Sequence, residues 1–462
     1  MTEEIVDEYL TLLERKAVQA PVRGLRDVPA LHSAMFPHQR DVTEFLLRAG
    51  CGAAFLDTGL GKSLVSLEWG RVVAEHTRLP VLMLAPLAVS RQHAREAAKF
   101  GLSATLVRSA DDLQPGVNIC NYEMLHHFKP EAFGGLILDE SSIIKSFTGK
   151  TTRALMAFGG SIPFKLAATA TPAPNDHMEL GQHSQFLGAM DSSEMLSRWF
   201  IADQRDMGRY RLKRYAVESF WSWVASWARC ISKPSDIGYS DEGFALPELV
   251  LTHHTVAQDI TQDTDGALFR IPNTSATEIH KEKRITADSR ARVIAELVSS
   301  EPAEPWVVWV ETDYEADAIM QYLPHATEVR GSMPADVKEK RLIDFTESGG
   351  VIVTKPSIAG FGLNWQHCAR VAFVGLSFSY EQFYQAVRRC WRFGQQRPVH
   401  VHVALADTEE AIWRAVRRKQ ADHEDMKVHM YAAMKRAVEV RGVKNNYRPT
   451  QIAQLPQWME AA

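Results

Sequence analysis

Short apolar runs alternate with stretches of helical period in two parts of the chain. In the first, from about residue 36 to 171, strands are predicted at 53–56, 81–85, 117–120, 136–138 and 165–168. In the second, from about 305 to 405, they are predicted at 307–310, 351–354, 371–374 and 399–405. Each run is continuously apolar rather than alternating, which is how strands covered on both faces read. The pattern predicts an α/β protein with two parallel-sheet lobes in tandem.

Between the lobes the pattern changes. Residues 179–230 read as helical and carry Trp199, Trp221, Trp223 and Trp227, a packed helical insert. Its start is basic, with Arg205, Arg209, Arg211, Lys213 and Arg214 opposed by Asp206. Residues 233–247 read as a loop. From about 422 a basic tail carries Lys435, Arg436, Arg441, Lys444 and Arg448. The expected division is an N-terminal helical segment at 1–30, a first lobe at 31–178, the insert and linker at 179–284, a second lobe at 285–421 and the tail at 422–462.

Composition narrows the function classes. The 462 residues are 45% hydrophobic and 23% charged, an ordinary globular balance that excludes a disordered, collagenous or coiled-coil chain. The formal net charge of −4 gives no basic surface overall, so any nucleic-acid contact must be local. Cys51, Cys120, Cys230, Cys368 and Cys390 form no C-x-x-C pair, which argues against structural zinc and a disulfide framework. The acidic, amphipathic start is no signal peptide, and no apolar run is long enough to span a bilayer. The expectation is a soluble, intracellular protein with no membrane partner.

Asp57-Thr58-Gly59-Leu60-Gly61-Lys62-Ser63 lies between an apolar run and a helical stretch at 64–75. Glycines there let the backbone turn and aim N–H groups at phosphate oxygens, and the next helix points its positive end at the same place. Lys62 would hold the β- and γ-phosphates, and Ser63 would place a hydroxyl on Mg²⁺. Leu56 stands where the strict motif has its first glycine, so a Gly-rich turn without a ligand stays open.

Leu136-Ile137-Leu138 ends in Asp139-Glu140. Acids at the end of a buried strand are costly unless a cation compensates them. Asp139 would hold Mg²⁺, and Glu140 would orient and deprotonate water. The bland alternative is a strand leaving for solvent. Thr169-Ala170-Thr171-Pro172 ends the next strand, where hydroxyls could link the acids to a bound partner.

In the second lobe, 385–395 is predicted as a helix in which Gln385, Arg389 and Arg392 share a face. An amide and two guanidiniums suit a triphosphate approached from the far side, although a solvated basic face would read the same way. Phe383, Tyr384 and Trp391 imply that this helix is partly buried. Upstream, Thr354 ends a strand, and Gly360 and Gly362 follow in a loop that could approach a nucleic-acid backbone or a nucleotide.

Taken in order, these segments resemble the motor core of superfamily-two helicases, and more narrowly the Swi/Snf-type ATPases. The loop DTGLGKS, the acids DESS at 139–142, TATP at 169–172 and QAVRRCWRFGQ at 385–395 carry the likeness. Phe36-Pro37-His38-Gln39, Ala85-Pro86 and Asn121-Tyr122-Glu123 resemble further motifs, over about 31–413 in all. Ser142 replaces the usual His of the acid box, and Arg388 stands where Gly or Asp is usual. The resemblance implies two RecA-like lobes that clamp ATP and Mg²⁺ in their cleft, with Gln39 reading adenine and Thr58, Gly59, Leu60, Gly61, Lys62 and Ser63 binding the nucleotide. It implies a nucleic-acid-dependent ATPase that moves along double-stranded DNA. A strand-separating DNA or RNA helicase is one alternative. A nucleotide-gated subunit that recruits a nuclease or replication partner is another.

Overall fold

The computed structural model describes residues 18–202, 210–257, 276–359 and 363–443. Arg205, Arg209, Gly360, Gly362, residues 1–17 of the N-terminal segment and the end of the basic tail lie outside the described residues. In the first lobe the strands are β1 (Cys51–Leu56), β2 (Val81–Ala85), β3 (Ala104–Leu106), β4 (Val117–Asn121), β5 (Gly135–Asp139) and β6 (Phe164–Thr169). A small antiparallel pair, β7 (Phe200–Ala202) and β8 (Tyr210–Leu212), stands apart from this sheet, and β9 (Ala228–Ile231) returns to it. The sheet order is β3-β4-β2-β5-β6-β1-β9, and every pairing in it is parallel.

The second lobe contains β10 (Leu249–Val256), β11 (Trp306–Trp309), β12 (Thr327–Val329), β13 (Val351–Thr354), β14 (Arg370–Phe373) and β15 (Val399–Ala406). Its order is β10-β15-β14-β11-β13-β12, again parallel throughout. Both lobes are therefore α/β units with parallel sheets, as the continuous apolar runs require. Successive side chains of β1 confirm the two-sided cover: Ala53 and Phe55 enter one core, and Ala54 and Leu56 the other. In β11, Trp309 and Trp306 divide in the same way between the two cores of the second lobe.

Three elements differ from the sequence pattern. Ala228–Ile231, within the stretch read as helical, is the strand that pairs with β1. It is four residues long and directly follows the Val217–Trp227 helix, so no alternation or boundary residue marks it. β10 lies in the stretch read as linker; its residues are half-exposed and include His253 and His254, so it lacks an apolar run. The helix predicted over 385–395 instead spans Tyr380–Val387 and stops before both arginines. The backbone N–H of Trp365 donates to the Arg389 carbonyl, and the Gln395 side chain donates to the Cys390 carbonyl. Past Val387, the Arg389 carbonyl is thus taken by another segment and the Cys390 carbonyl by a side chain of the same stretch.

The tryptophans of the insert are core residues: Trp199, Trp221, Trp223 and Trp227 are all buried in the first lobe. The last helix, Glu410–Val443, joins the lobes. Its Ile412 and Val416 belong to a core of the second lobe, and Met426, Met430 and Met434 to a core of the first. Among the described residues, no helix is long and apolar enough to cross a membrane.

Candidate nucleotide site between the lobes

The phosphate loop leaves β1 at its carboxyl end, where ligands gather in open parallel sheets. Gly59 (φ 95°) and Gly61 (φ 80°) both take left-handed backbone conformations that other residues rarely adopt. Lys62 and Ser63 then open the Lys62–Thr77 helix. The loop is braced from upstream: Gln39 Nε2 donates to the Leu60 carbonyl at 3.0 Å, and Gln39 Oε1 accepts from the Phe36 N–H at 3.0 Å. Both ends of the amide expected to read adenine are engaged within the protein.

β5 delivers Asp139 and Glu140 beside the loop. Lys62 Nζ lies 3.4 Å from Glu140 Oε1, and Thr169 Oγ1 donates to Glu140 Oε2 at 3.2 Å. Glu140 has φ 55°, a left-handed conformation uncommon for a residue with a side chain. The backbone N–H of Thr171 donates in turn to Thr169 Oγ1 at 3.1 Å. Lys62, Glu140, Thr169 and Thr171 therefore form one connected group at the ends of three strands.

Asp139 is held by His93, which nothing in the sequence singles out, and by Tyr122, which stands in the quoted Asn121-Tyr122-Glu123 segment. His93 Nε2 is 2.8 Å from Asp139 Oδ2, with both side chains buried, and Tyr122 Oη donates to the Asp139 carbonyl at 2.7 Å. Burial opposes the charged forms of both partners. Their mutual attraction outweighs it, leaving the His93 pKa above and the Asp139 pKa below the usual values. His93 lies far from the acids in sequence, and nothing in the pattern joins them. Ser142 is buried, and its neighbour Ser141 contacts His183 Nε2 at 3.0 Å. Burial lowers the pKa of His183 to about 4.

The second lobe meets the loop directly. Asp57, the first residue of the motif, is 4% exposed and collects three partners. Tyr384 Oη donates to Oδ1 at 2.5 Å, Arg388 Nη2 to Oδ2 at 3.1 Å, and Lys427 Nζ to both oxygens at 3.0 and 2.9 Å. Burial pushes this carboxyl up, but Lys427, Arg388 and the Tyr384 hydroxyl hold it well below the usual carboxylate range. Phe393 reaches Gly59 so closely that a Cβ there would lie 2.5 Å from the Phe393 Cβ. Asp57 and Arg388 stand inside quoted motifs, so only their pairing was hidden; Lys427 carried no signal.

Arg389 and Arg392 flank this contact. Arg389 Nη1 and Arg392 Nη1 both donate to the Leu363 carbonyl, at 3.0 and 3.2 Å. Arg389 Nη2 also donates to Gln385 Oε1 at 3.2 Å. Burial and the adjacent Arg392 charge pull the Arg389 pKa down to about 9, partly offset by the Glu140 carboxylate across the cleft. The buried Gln385 Nε2 has no hydrogen-bond partner among the described residues. Gln385, Arg389 and Arg392 are thus together, with Gln385 in the last turn of the helix and both arginines on the turn after it. Thr354 stays inside the second sheet, donating to the Val329 carbonyl at 3.1 Å. Thr58 sits in the loop between β1 and the helix.

Among the described residues no three His, Cys, Asp or Glu side chains gather to bind a metal. The donor set nonetheless fits Mg²⁺, because Asp139 and Ser63 offer hard oxygens beside a phosphate loop and such an ion takes its other ligands from water and phosphate. A separate cavity of about 760 Å³ is lined by Lys145, Asn175, Glu179, Tyr210, Arg211 and Lys419. It includes none of the loop residues.

Residues 289–394, within the second lobe, match the family model of the helicase conserved C-terminal domain. No curated protein matches the chain. Among solved structures, the SWI2/SNF2 ATPase core of Sulfolobus solfataricus in complex with dsDNA is similar, with 18% identity and a TM-score of 0.42. The likeness covers 88% of this chain and 96% of that one.

Proposed function

We propose that this chain, whose residues 289–394 match the helicase conserved C-terminal domain, is an ATP-driven motor of the Swi/Snf type that moves along double-stranded DNA. The observation that carries this reading is the meeting of the lobes at the phosphate loop. Arg388 and Tyr384 reach Asp57 and Phe393 covers Gly59, beside the Lys62–Glu140 pair. Groups from both halves of the molecule are then available to one triphosphate. The motif order read from the sequence supports the narrower assignment.

In this mechanism Gln39 and the loop 58–63 bind ATP. The N–H groups of Gly59 and Gly61 and the start of the Lys62–Thr77 helix receive the phosphates. Phosphate oxygens compete for the Lys62 ammonium and draw it from Glu140. Glu140, kept in place by Thr169, orients the attacking water and accepts its proton. Arg389 and Arg392 exchange the Leu363 carbonyl for the charge that develops on the transferred phosphoryl group. Asp139 and Ser63 would hold Mg²⁺, which would supply positive charge to neutralise the phosphates. Thr169 and Thr171 link Glu140 to the strand end and relay the hydrolytic state toward bound nucleic acid. Gly360 and Gly362 are proposed nucleic-acid contacts of the second lobe, and Thr354, buried in its sheet, is proposed to couple that loop to the strand rather than to touch nucleic acid. A duplex held mainly through its phosphates would bind less tightly as salt rises.

The test is ATPase activity with no nucleic acid, single-stranded DNA, duplex DNA and RNA in parallel, with Lys62→Ala as control. The expected result is strongest stimulation by duplex DNA and loss of turnover in the folded Lys62→Ala protein. ATP-dependent strand release from a forked duplex would favour a helicase. Negligible turnover with every nucleic acid would favour a recruitment subunit.

A further inference from the structure

The Leu87–Lys99 helix touches the candidate site and the opposite lobe with opposite faces. Inward, His93 contacts the Asp139 carboxylate at 2.8 Å, and its ring is 2% exposed. Outward, Arg91 pairs with Glu339 of the second lobe at 2.8 Å, and Arg95 lies 3.9 Å from the same carboxylate. Positions 91 and 95 are four apart and share a helical face, whereas 93 lies on the far side. The acid strand thus has an imidazole on its terminal carboxylate, supplied by a different element, in a chain whose acid box has Ser142 at its fourth position.

We propose that His93 is a positioning residue for the metal-bound nucleotide. It occupies Asp139 Oδ2 and, together with the Glu140 backbone N–H that also engages this carboxylate, fixes its rotamer for ligation of the cation. Because the same helix contacts Glu339, a shift of the second lobe is passed through His93 to the carboxylate. A buried Asp can rotate about its side-chain bonds, and a single strong hydrogen bond selects one orientation. Outer partners of this sort orient ligating groups and commonly change metal affinity or activity by about 10–100-fold when removed. Tyr122 acts on the other side of Asp139, at its backbone carbonyl, and so sets the strand end rather than the carboxylate. The ring has a second unpartnered atom, Nδ1, which is buried and makes no hydrogen bond among the described residues. The Asp139 contact is therefore the polar bond that this side chain makes.

This inference rests on the ATP-cleft assignment, and the experiment separates the two. Binding of a fluorescent ATP analogue is measured in EDTA and across a Mg²⁺ titration, for the full chain and for His93→Phe and His93→Gln. Phenylalanine keeps the bulk without the hydrogen bond, and glutamine can place an amide N–H near the position of Nε2. For His93→Phe, affinity in EDTA should stay within about threefold of the parent, while the Mg²⁺ needed for half-maximal enhancement rises about 10–100-fold. His93→Gln should recover most of that loss. An unchanged Mg²⁺ requirement in His93→Phe would overturn the proposal. So would a glutamine variant as impaired as the phenylalanine one, since His93 would then only fill space. Failure of the parent chain to bind the analogue under either condition would overturn the ATP-cleft assignment itself, and this inference with it.

Discussion

Two carboxylates of the first lobe have different tasks because they have different neighbours. Glu140 lies at a strand end between an ammonium and a hydroxyl, with its backbone in the left-handed region. As a general base it should tolerate removal of charge for binding but not for chemistry. Glu140→Gln is expected to bind ATP normally and to hydrolyse it about 10²–10⁴-fold more slowly, measured as single-turnover rate against analogue affinity. Asp57 is instead a tie between the lobes. Its carboxyl sits below its unfolded pKa of about 3.9, so the stability it supplies is fully present above that pH and is lost as pH falls toward the folded value. Asp57→Asn should cost about 3–5 kcal/mol near neutral pH, because Lys427 and Arg388 are left without their anion. In denaturant melts from pH 7 to pH 3, the gap between parent and variant should stay constant at first and narrow below about pH 4. A gap that widens with acid would contradict this assignment.

At the scale of elements, what the sequence makes legible follows its physics. β1, β2, β5 and β13 are buried almost throughout and stand out as apolar runs. β3 and β12 are three residues long with exposed positions, and β10 is half-exposed along its length, so burial leaves no such mark on them. The same holds for the site. Lys62, Asp139, Glu140, Arg389 and Arg392 are legible because each stands in a continuous segment quoted from the sequence. Tyr122 stands in a quoted segment, whereas His93 and Lys427 reach the site by tertiary packing alone. The spacing of Arg389 and Arg392 fits a helix, whereas the helix ends at Val387 and both arginines follow it on a turn. The final helix shows how an element can serve both lobes. Met430 is fully buried in the same core as Trp221, and His429 stacks on that tryptophan at 6.0 Å. Met430→Ala should destabilise the protein by about 2–5 kcal/mol and loosen the helix from the first lobe. Faster hydrogen exchange over 417–436 would report the loosening.

For the whole molecule, the lobes are held near one another by contacts that converge on the phosphate loop and by a helix that enters both cores. Lys145 and Glu381 add an ion pair across the same junction. Such an arrangement suits a cleft that tightens around a triphosphate and relaxes after hydrolysis, since polar ties can exchange partners while the two sheets stay intact. The most direct test is a double substitution, Arg389→Ala with Arg392→Ala, assayed for duplex-stimulated ATP turnover and for analogue binding. The account predicts a loss of turnover of about 10³-fold or more with binding largely retained, because these arginines act on charge that develops during transfer. Turnover within a few-fold of the parent would show that the second lobe supplies nothing to the triphosphate, and would contradict the account.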